Sequence, residues 1–258
     1  MLRMMAVIPP VFRAIDMLNL SNLRMIVVSA LWSGLWAGLL LTAVQSIQVI
    51  PTLLQAEVYE EKAASGIPSL FHAENSGDAQ THQQEAEAWQ PRNGWERTFF
   101  TAVANVSLGV GFALLLGAAS TIRGGIIGNW RNGLFWGLAG YTIFFAAPSL
   151  GLPPEVPGTE AANLEDRQIW WLMAVFDTAI GLWLMAFAKT MQNKLLGLLL
   201  LVSPHLIGAP QPDVHGSAAP VELANTFIAA TAAANAVFWL ALGSLMGLFS
   251  RKNQVLKK

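Results

Sequence analysis

The sequence predicts an all-α integral membrane protein: a bundle of six transmembrane helices, five long and one short, with N- and C-termini cytoplasmic. Three observations predict it. Apolar residue types make up 54% of the 258 residues and charged types only 12%, about half the charged share of a globular protein. Apolar runs recur at a length near the ~20 residues that a helix needs to cross a bilayer core. Basic and acidic residues segregate to opposite ends of those runs.

Five runs are long enough: 25–50, 98–121, 133–152, 169–188 and 222–249. The first follows Arg3, Arg13 and Arg24, exceeds a signal-peptide apolar core, and has no small-residue cleavage site. It is expected to stay as an anchor. The sixth run, 195–210, is short and contains Pro204 and His205. Residues 1–24 are then a cytoplasmic segment, 25–250 one transmembrane domain, and 251–258 a basic tail. Residues 55–97 form an acidic outer loop, with Glu57, Glu60, Glu61, Glu74, Asp78, Glu85 and Glu87.

Charge fixes the topology. With six spans and the N-terminus inside, 11 of the 15 basic residues fall on the inner side. Of the 16 acidic residues, 14 fall outside. The basic bias is the diagnostic part. Omitting the short span would place the basic tail outside, against that rule.

Composition also excludes. There is no cysteine, hence no disulfide, thiolate metal site or Cys nucleophile. A net charge of −1 supplies no bulk attraction to nucleic acid. Neither a phosphate-binding G-x-x-x-x-G-K-[ST] loop nor H-E-x-x-H nor G-x-S-x-G occurs, so nothing points to an enzyme.

Polar groups inside the spans are costly in hydrocarbon and usually face the bundle interior. Thr42, Gln45, Gln48, Thr52 and Gln55 are spaced by three or four, which puts them on one helical face. The second span adds Thr98, Thr101 and Asn105; the sixth adds Glu222, Asn225 and Asn235. Asp177 stands alone in the fourth span, either as a cation or proton site or as a hydrogen bond to a neighbouring helix. Gln45, Gln48, Asn105 and Asp177 are the candidate transport path.

All four histidines, His72, His82, His205 and His215, fall at or beyond the outer ends of the spans, among carboxylates. Imidazole with carboxylate suits borderline divalent metals such as Co²⁺, Ni²⁺ and Zn²⁺. The candidate metal ligands are His205, His215, Glu57, Glu60, His72 and His82. Prolines 51, 153 and 210 near the outer span ends give a faint threefold pattern that hairpin geometry alone can produce.

Four segments together resemble the CbtA family of cobalt transporter subunits. They are GLLLTAVQSIQVIPTLLQAEVYE (38–60), EAWQPRNGWERTFFTAVANVSLGVGFALLL (87–116), WRNGLFWGLAGYTIFFAAPSLGLPPEVPGTEAANLEDRQIWW (130–171) and PHLIGAPQPDVHGSAAPVELA (204–224). The resemblance runs from about residue 24 to 250. It implies a multi-span inner-membrane protein of cobalt uptake, with Co²⁺ as transported ion and no resident cofactor. It further implies a small single-span partner with a histidine-rich end. Positions carrying the family pattern include Glu57, Glu60, Glu96, Arg97, Thr98, Asn105, Trp170, Trp171, His205, Pro210 and Pro212. Two departures are the extra residues before the first span and a first outer loop with only His72 and His82.

Two functions compete on these residues. One is a divalent-metal permease subunit, cobalt by resemblance. The other is a non-transporting membrane scaffold or metal-sensing subunit. A continuous polar passage between the helices favours the first; a dry, packed bundle centre favours the second.

Overall fold

The computed structural model describes residues 20–65, 91–125 and 127–255. They fold into helical rods joined by loops. The first rod is α1 (Leu20–Val44), a π turn (Gln45–Val49) and α2 (Ile50–Ser65). Then come α3 (Trp95–Ile122), α4 (Trp130–Tyr141), a second π turn (Thr142–Ala146) and the short α5 (Ala147–Ser149). The chain closes with α6 (Leu164–Phe187), α7 (Met191–Ile207) and α8 (Val221–Val255).

Among the described residues, four segments are long and apolar enough to cross a membrane: Asn22–Ser65, Trp95–Ile122, Leu164–Phe187 and Val221–Arg251. The other two rods expected to cross fall below that measure. α7 has 17 residues, about 25 Å of helix. The α4–α5 rod mixes glycines and polar groups into its apolar run.

The first rod is longer than the apolar run suggests. Its 44 residues from Asn22 to Ser65 extend about 66 Å, at 1.5 Å per residue. A bilayer core is about 30 Å thick. Residues 55–65, read from the sequence as outer loop, are therefore helix that projects beyond the apolar part. The helix formers Ala56, Glu57, Glu60, Glu61, Lys62, Ala63 and Ala64 explain the continuation.

α1 shows how packing is written into the sequence. Its buried residues come in pairs four apart: Met25/Ile26, Ser29/Ala30, Ser33/Gly34, Ala37/Gly38 and Leu41/Thr42. Between them Leu31, Trp32, Trp36, Leu39 and Leu40 are exposed. Small residues at four-residue spacing let helix backbones approach, and large apolar ones suit lipid.

Three crossings use facing glycines. A Cβ built on Gly109 of α3 would sit 2.7 Å from the Gly34 carbonyl oxygen of α1. Gly133 of α4 abuts Gly243 of α8 in the same manner, and Gly181 of α6 abuts Gly197 of α7. α8 also packs along α1, so it runs through the centre of a body made by α1, α3, α4 and α8. The α6–α7 hairpin joins this body through the second π turn and α5. Of the consecutive hairpins of the faint threefold pattern, the first, α1 with α3, is paired, whereas α4 pairs with α8 and α6 with α7.

Partners along each crossing run antiparallel, so the rods alternate in direction. Glu57, Glu60, Glu96, Glu155, Glu160, Glu165, Asp166, Asp213 and Glu222 gather at one end. Arg24, Arg123, Arg131, Lys189, Lys194 and Arg251 gather at the other. At the acidic end the loops before α6 and α8 are stitched together. Glu160 N–H donates to Gly216 O at 2.9 Å, and Ala218 N–H to Gly158 O at 2.9 Å. Gly158 takes a positive φ of 74° at that stitch. Asn129, Asn163 and Thr190 cap the starts of α4, α6 and α7.

One residue separates each π turn from a following proline, Pro51 and Pro148. Proline has no N–H and its ring collides with the carbonyl four residues back. The chain answers by widening the helix just before it. Ile50 N–H reaches Gln45 O, and Ala147 N–H reaches Thr142 O. Either register leaves a carbonyl before the proline without its helical donor.

Candidate functional site

At the junction of α1 and the first π turn sits a polar cluster inside an apolar bundle. Asn105 of α3 is buried, as is Thr42 of α1. Asn105 Nδ2 donates to Gln45 Oε1 at 2.7 Å and to Thr42 Oγ1 at 3.0 Å. Thr42 Oγ1 donates onward to Gly38 O at 2.9 Å. Ser46 Oγ donates to Thr42 O at 2.8 Å. One amide thus uses both of its donors on two oxygens of the neighbouring rod. Its own Oδ1 accepts no hydrogen bond among the described residues and is not one of the fully buried oxygens, so it stays accessible at the edge of the cluster.

The cluster exists because Thr42 and Gln45, three residues apart, share one face of the helix. Val44, just before the π turn, keeps ordinary helical angles, φ −64° and ψ −44°. The close crossing of Gly38 against Asn105 and Val106 brings α3 within reach.

Toward the acidic end, Gln48 lines a recess with Asn225, Thr226, Ala229 and Ala230 of α8. Further out, Glu57 and Arg97 form a two-pronged ion pair, at 2.6 and 3.4 Å. Arg97 also donates to Asn93 Oδ1 at 2.7 Å. Toward the basic end the polarity stops. Phe112, Phe144, Phe238 and Trp239 form an aromatic block, with Phe144 stacked on Trp239 at 5.5 Å. Phe112 lies two helical turns beyond Asn105, about 10 Å.

The other sequence candidates lie elsewhere. Asp177 is in the α6–α7 hairpin, where its carboxylate accepts from Ser203 Oγ at 2.9 Å. It shares no contact with Gln45 or Asn105. His205, near the end of α7, meets the edge of Trp170 at a ring distance of 6.1 Å. Trp170 Nε1 donates to Pro204 O at 3.2 Å. His215 is exposed and lines a different hollow, with Glu155, Glu160 and Arg167. Arg167 is engaged by Glu155 at 2.8 Å. Glu60 is exposed beside Gly158. His72 and His82 lie outside the described residues. Among the described residues, no three of His, Asp or Glu converge as a group able to hold a metal ion.

Several contributors were not singled out from sequence. Ser203 is one, as partner of Asp177. Thr231 is another: its Oγ1 is buried on α8 with no partner among the described residues. The π turns are a third, and their signal was present as Pro51 and Pro148 inside apolar runs.

Comparison with known proteins adds one finding. A family model described as probable cobalt transporter subunit (CbtA) matches residues 23–251. No curated protein and no solved structure matches.

Proposed function

Because the chain belongs to the CbtA family of probable cobalt transporter subunits, we propose that it forms the membrane passage of a Co²⁺ uptake system. In this reading all six rods cross the bacterial inner membrane, with both termini cytoplasmic. The segregation of charge between the two ends supports that orientation, since basic residues favour the cytoplasmic side. The short α7 reaches across with the help of its flanking Lys189 and Lys194, by snorkelling.

The observation that carries the reading is the Thr42–Gln45–Asn105 cluster, in which Thr42 and Asn105 are buried and Gln45 half-buried. Three polar residues in hydrocarbon are expensive, and hydrogen bonds between spans return only about 0.6–2 kcal/mol. The unengaged Oδ1 of Asn105 and the spare carbonyl before Pro51 are neutral oxygens. They replace part of a cation's hydration without trapping it, and a transport site must release what it binds. Glu57, Glu60, His205 and His215, with His72 and His82, gather the ion at the acidic end. Gln48 leads inward to Gln45 and Asn105. The aromatic block then closes the passage, so the conformation is a shut one. Asp177 holds α6 to α7 through Ser203. No catalytic step and no resident cofactor belongs to this scheme. The family description as a subunit supports a protein partner, which we take to be the small single-span histidine-rich one.

The test is accumulation of radioactive cobalt in cells lacking other cobalt importers, with and without this chain and its partner. Uptake that needs this chain, is lost in Asn105→Leu, and competes with nickel but not magnesium supports the permease. The aromatic block is shared by a shut permease and a scaffold. Normal membrane insertion with no uptake would therefore select the scaffold or sensor.

A further inference from the structure

A cleft separates α4 from α6, and the main contacts of α6 with this rod are made by the second π turn and α5 at the acidic end. It encloses about 450 Å³, within the range of small-molecule sites. Its walls are almost wholly apolar: Leu138, Ala139 and Ile143 on one side, Ala179, Leu182 and Trp183 on the other. It runs about 12 Å along the helices, eight residues on each wall.

The cleft changes character at the basic end. Through Phe135, Trp136 and Phe187 it joins a polar recess lined by Ser120, Arg123, Gly124 and Asn132. The Arg123 guanidinium lies 4.5 Å from the centre of the Phe187 ring, a cation–π contact that ties α3 to α6. Arg123 is exposed, and among the described residues no carboxylate lies within ion-pair distance of it. Gly124 and Gly125 N–H are spent on Thr121 O and Ser120 O. The positive charge thus comes from the side chain.

We propose that this continuous cleft binds an anionic phospholipid, with an acyl chain between α4 and α6 and the phosphate at Arg123. An apolar slot leading to one unpaired cation at the level of the headgroups is complementary to that molecule. Basic recesses between spans on the cytoplasmic side take anionic lipid heads on the same physical grounds. A free phosphate would have no use for the slot, and a zwitterionic lipid, whose own cation offsets its phosphate, gains less from Arg123 than a lipid with net negative charge. The bound lipid would wedge the α6–α7 hairpin against the body.

The experiment is native mass spectrometry of the purified full chain with dioleoylphosphatidylglycerol or dioleoylphosphatidylcholine. The expected result is preferential retention of the phosphatidylglycerol. Arg123→Gln, at an exposed site, lowers that retention about fivefold while leaving phosphatidylcholine unchanged, in line with the worth of one basic residue at an anionic surface. Ala139→Trp fills the slot and lowers retention of both lipids. Equal retention of the two lipids by the unaltered chain overturns the proposal, as does displacement by inorganic phosphate alone. A photo-crosslinker at Ala139 that captures a protein helix and no lipid overturns it too. None of these readouts depends on cobalt.

Discussion

The four-rod body and the α6–α7 hairpin solve the same problem differently. Both join helices through facing glycines, and both bridge helices with polar side chains. In the body, α8 is held by α1 on one side and α4 on another, and the polar bridge is a three-residue cluster with a spare acceptor. In the hairpin two separate hydrogen bonds, Ser203 to Asp177 and Trp170 Nε1 to Pro204 O, join two helices, and the pair touches the rest mainly near α5. A charged residue is the louder signal in a hydrophobic sequence. Yet the neutral amide at Asn105 is the more buried group and has more partners. Cost is set by where a polar group sits and how it is paired, so the identity of the residue alone ranks these two in the wrong order.

The comparison breaks most visibly at the glycines. Gly133→Leu puts a side chain into the backbone of Gly243, between the central helix and α4. Protein extracted from membranes is expected to lose its monodisperse size-exclusion peak. Gly181→Leu meets the Gly197 carbonyl oxygen at 2.8 Å from its Cβ. There the hairpin can splay outward, so the peak survives with a stability loss of about 1–3 kcal/mol, as for other overpacked sites. Equal collapse of both variants would mean that the hairpin is as integral as the body.

Function should divide along the same line. Asn105→Leu removes both bridges and the spare oxygen, and cobalt uptake is expected to fall about tenfold or more, the equivalent of roughly 1.4 kcal/mol. Asp177→Asn keeps an oxygen that accepts from Ser203, and uptake should stay within about twofold, under 0.5 kcal/mol on the same scale. A reversal, with Asp177→Asn inactive and Asn105→Leu active, would move the path from the body to the hairpin.

Much of this division was visible in the residues and some was not. The positions of four membrane-length apolar helices followed from hydropathy, because lipid sets a length and a composition that few other environments demand. Of the polar stripe on the first rod, Gln48 and Gln55 are exposed, whereas Thr42 and Gln45, three apart on the same stripe, turn toward α3. Their partner Asn105 was seen, but only as a member of another face. Which faces meet depends on the order of helices around the bundle, and small residues such as Gly34 and Gly109 permit many crossings. That is why Asp177 was grouped with Gln45. The helical reach to Ser65 was missed because charged helix formers and charged loop residues have the same hydropathy. The π turns were missed because Pro51 was taken to mark the end of the first span and Pro148 lies unmarked inside the third apolar run, whereas at both the helix widens and continues.

The smallest expected effect lies at the outer edge of the body. Glu57 and Arg97 pair at 2.6 Å, with side chains 30% and 24% exposed. Such a pair contributes little, about 1 kcal/mol at most. Glu57→Gln keeps an oxygen for the guanidinium, and Asn93 still holds Arg97, so thermal stability should barely move. Uptake kinetics are the sharper readout. A carboxylate that gathers cations raises their local concentration without taking part in passage. Its removal should raise the cobalt concentration for half-maximal uptake and leave the maximal rate unchanged. The difference should shrink as salt is added, since exposed charges are screened over about 8–10 Å at ordinary ionic strength. A fall in maximal rate at unchanged half-saturation would place Glu57 within the path, and the boundary between collecting face and passage would move outward to the start of α3.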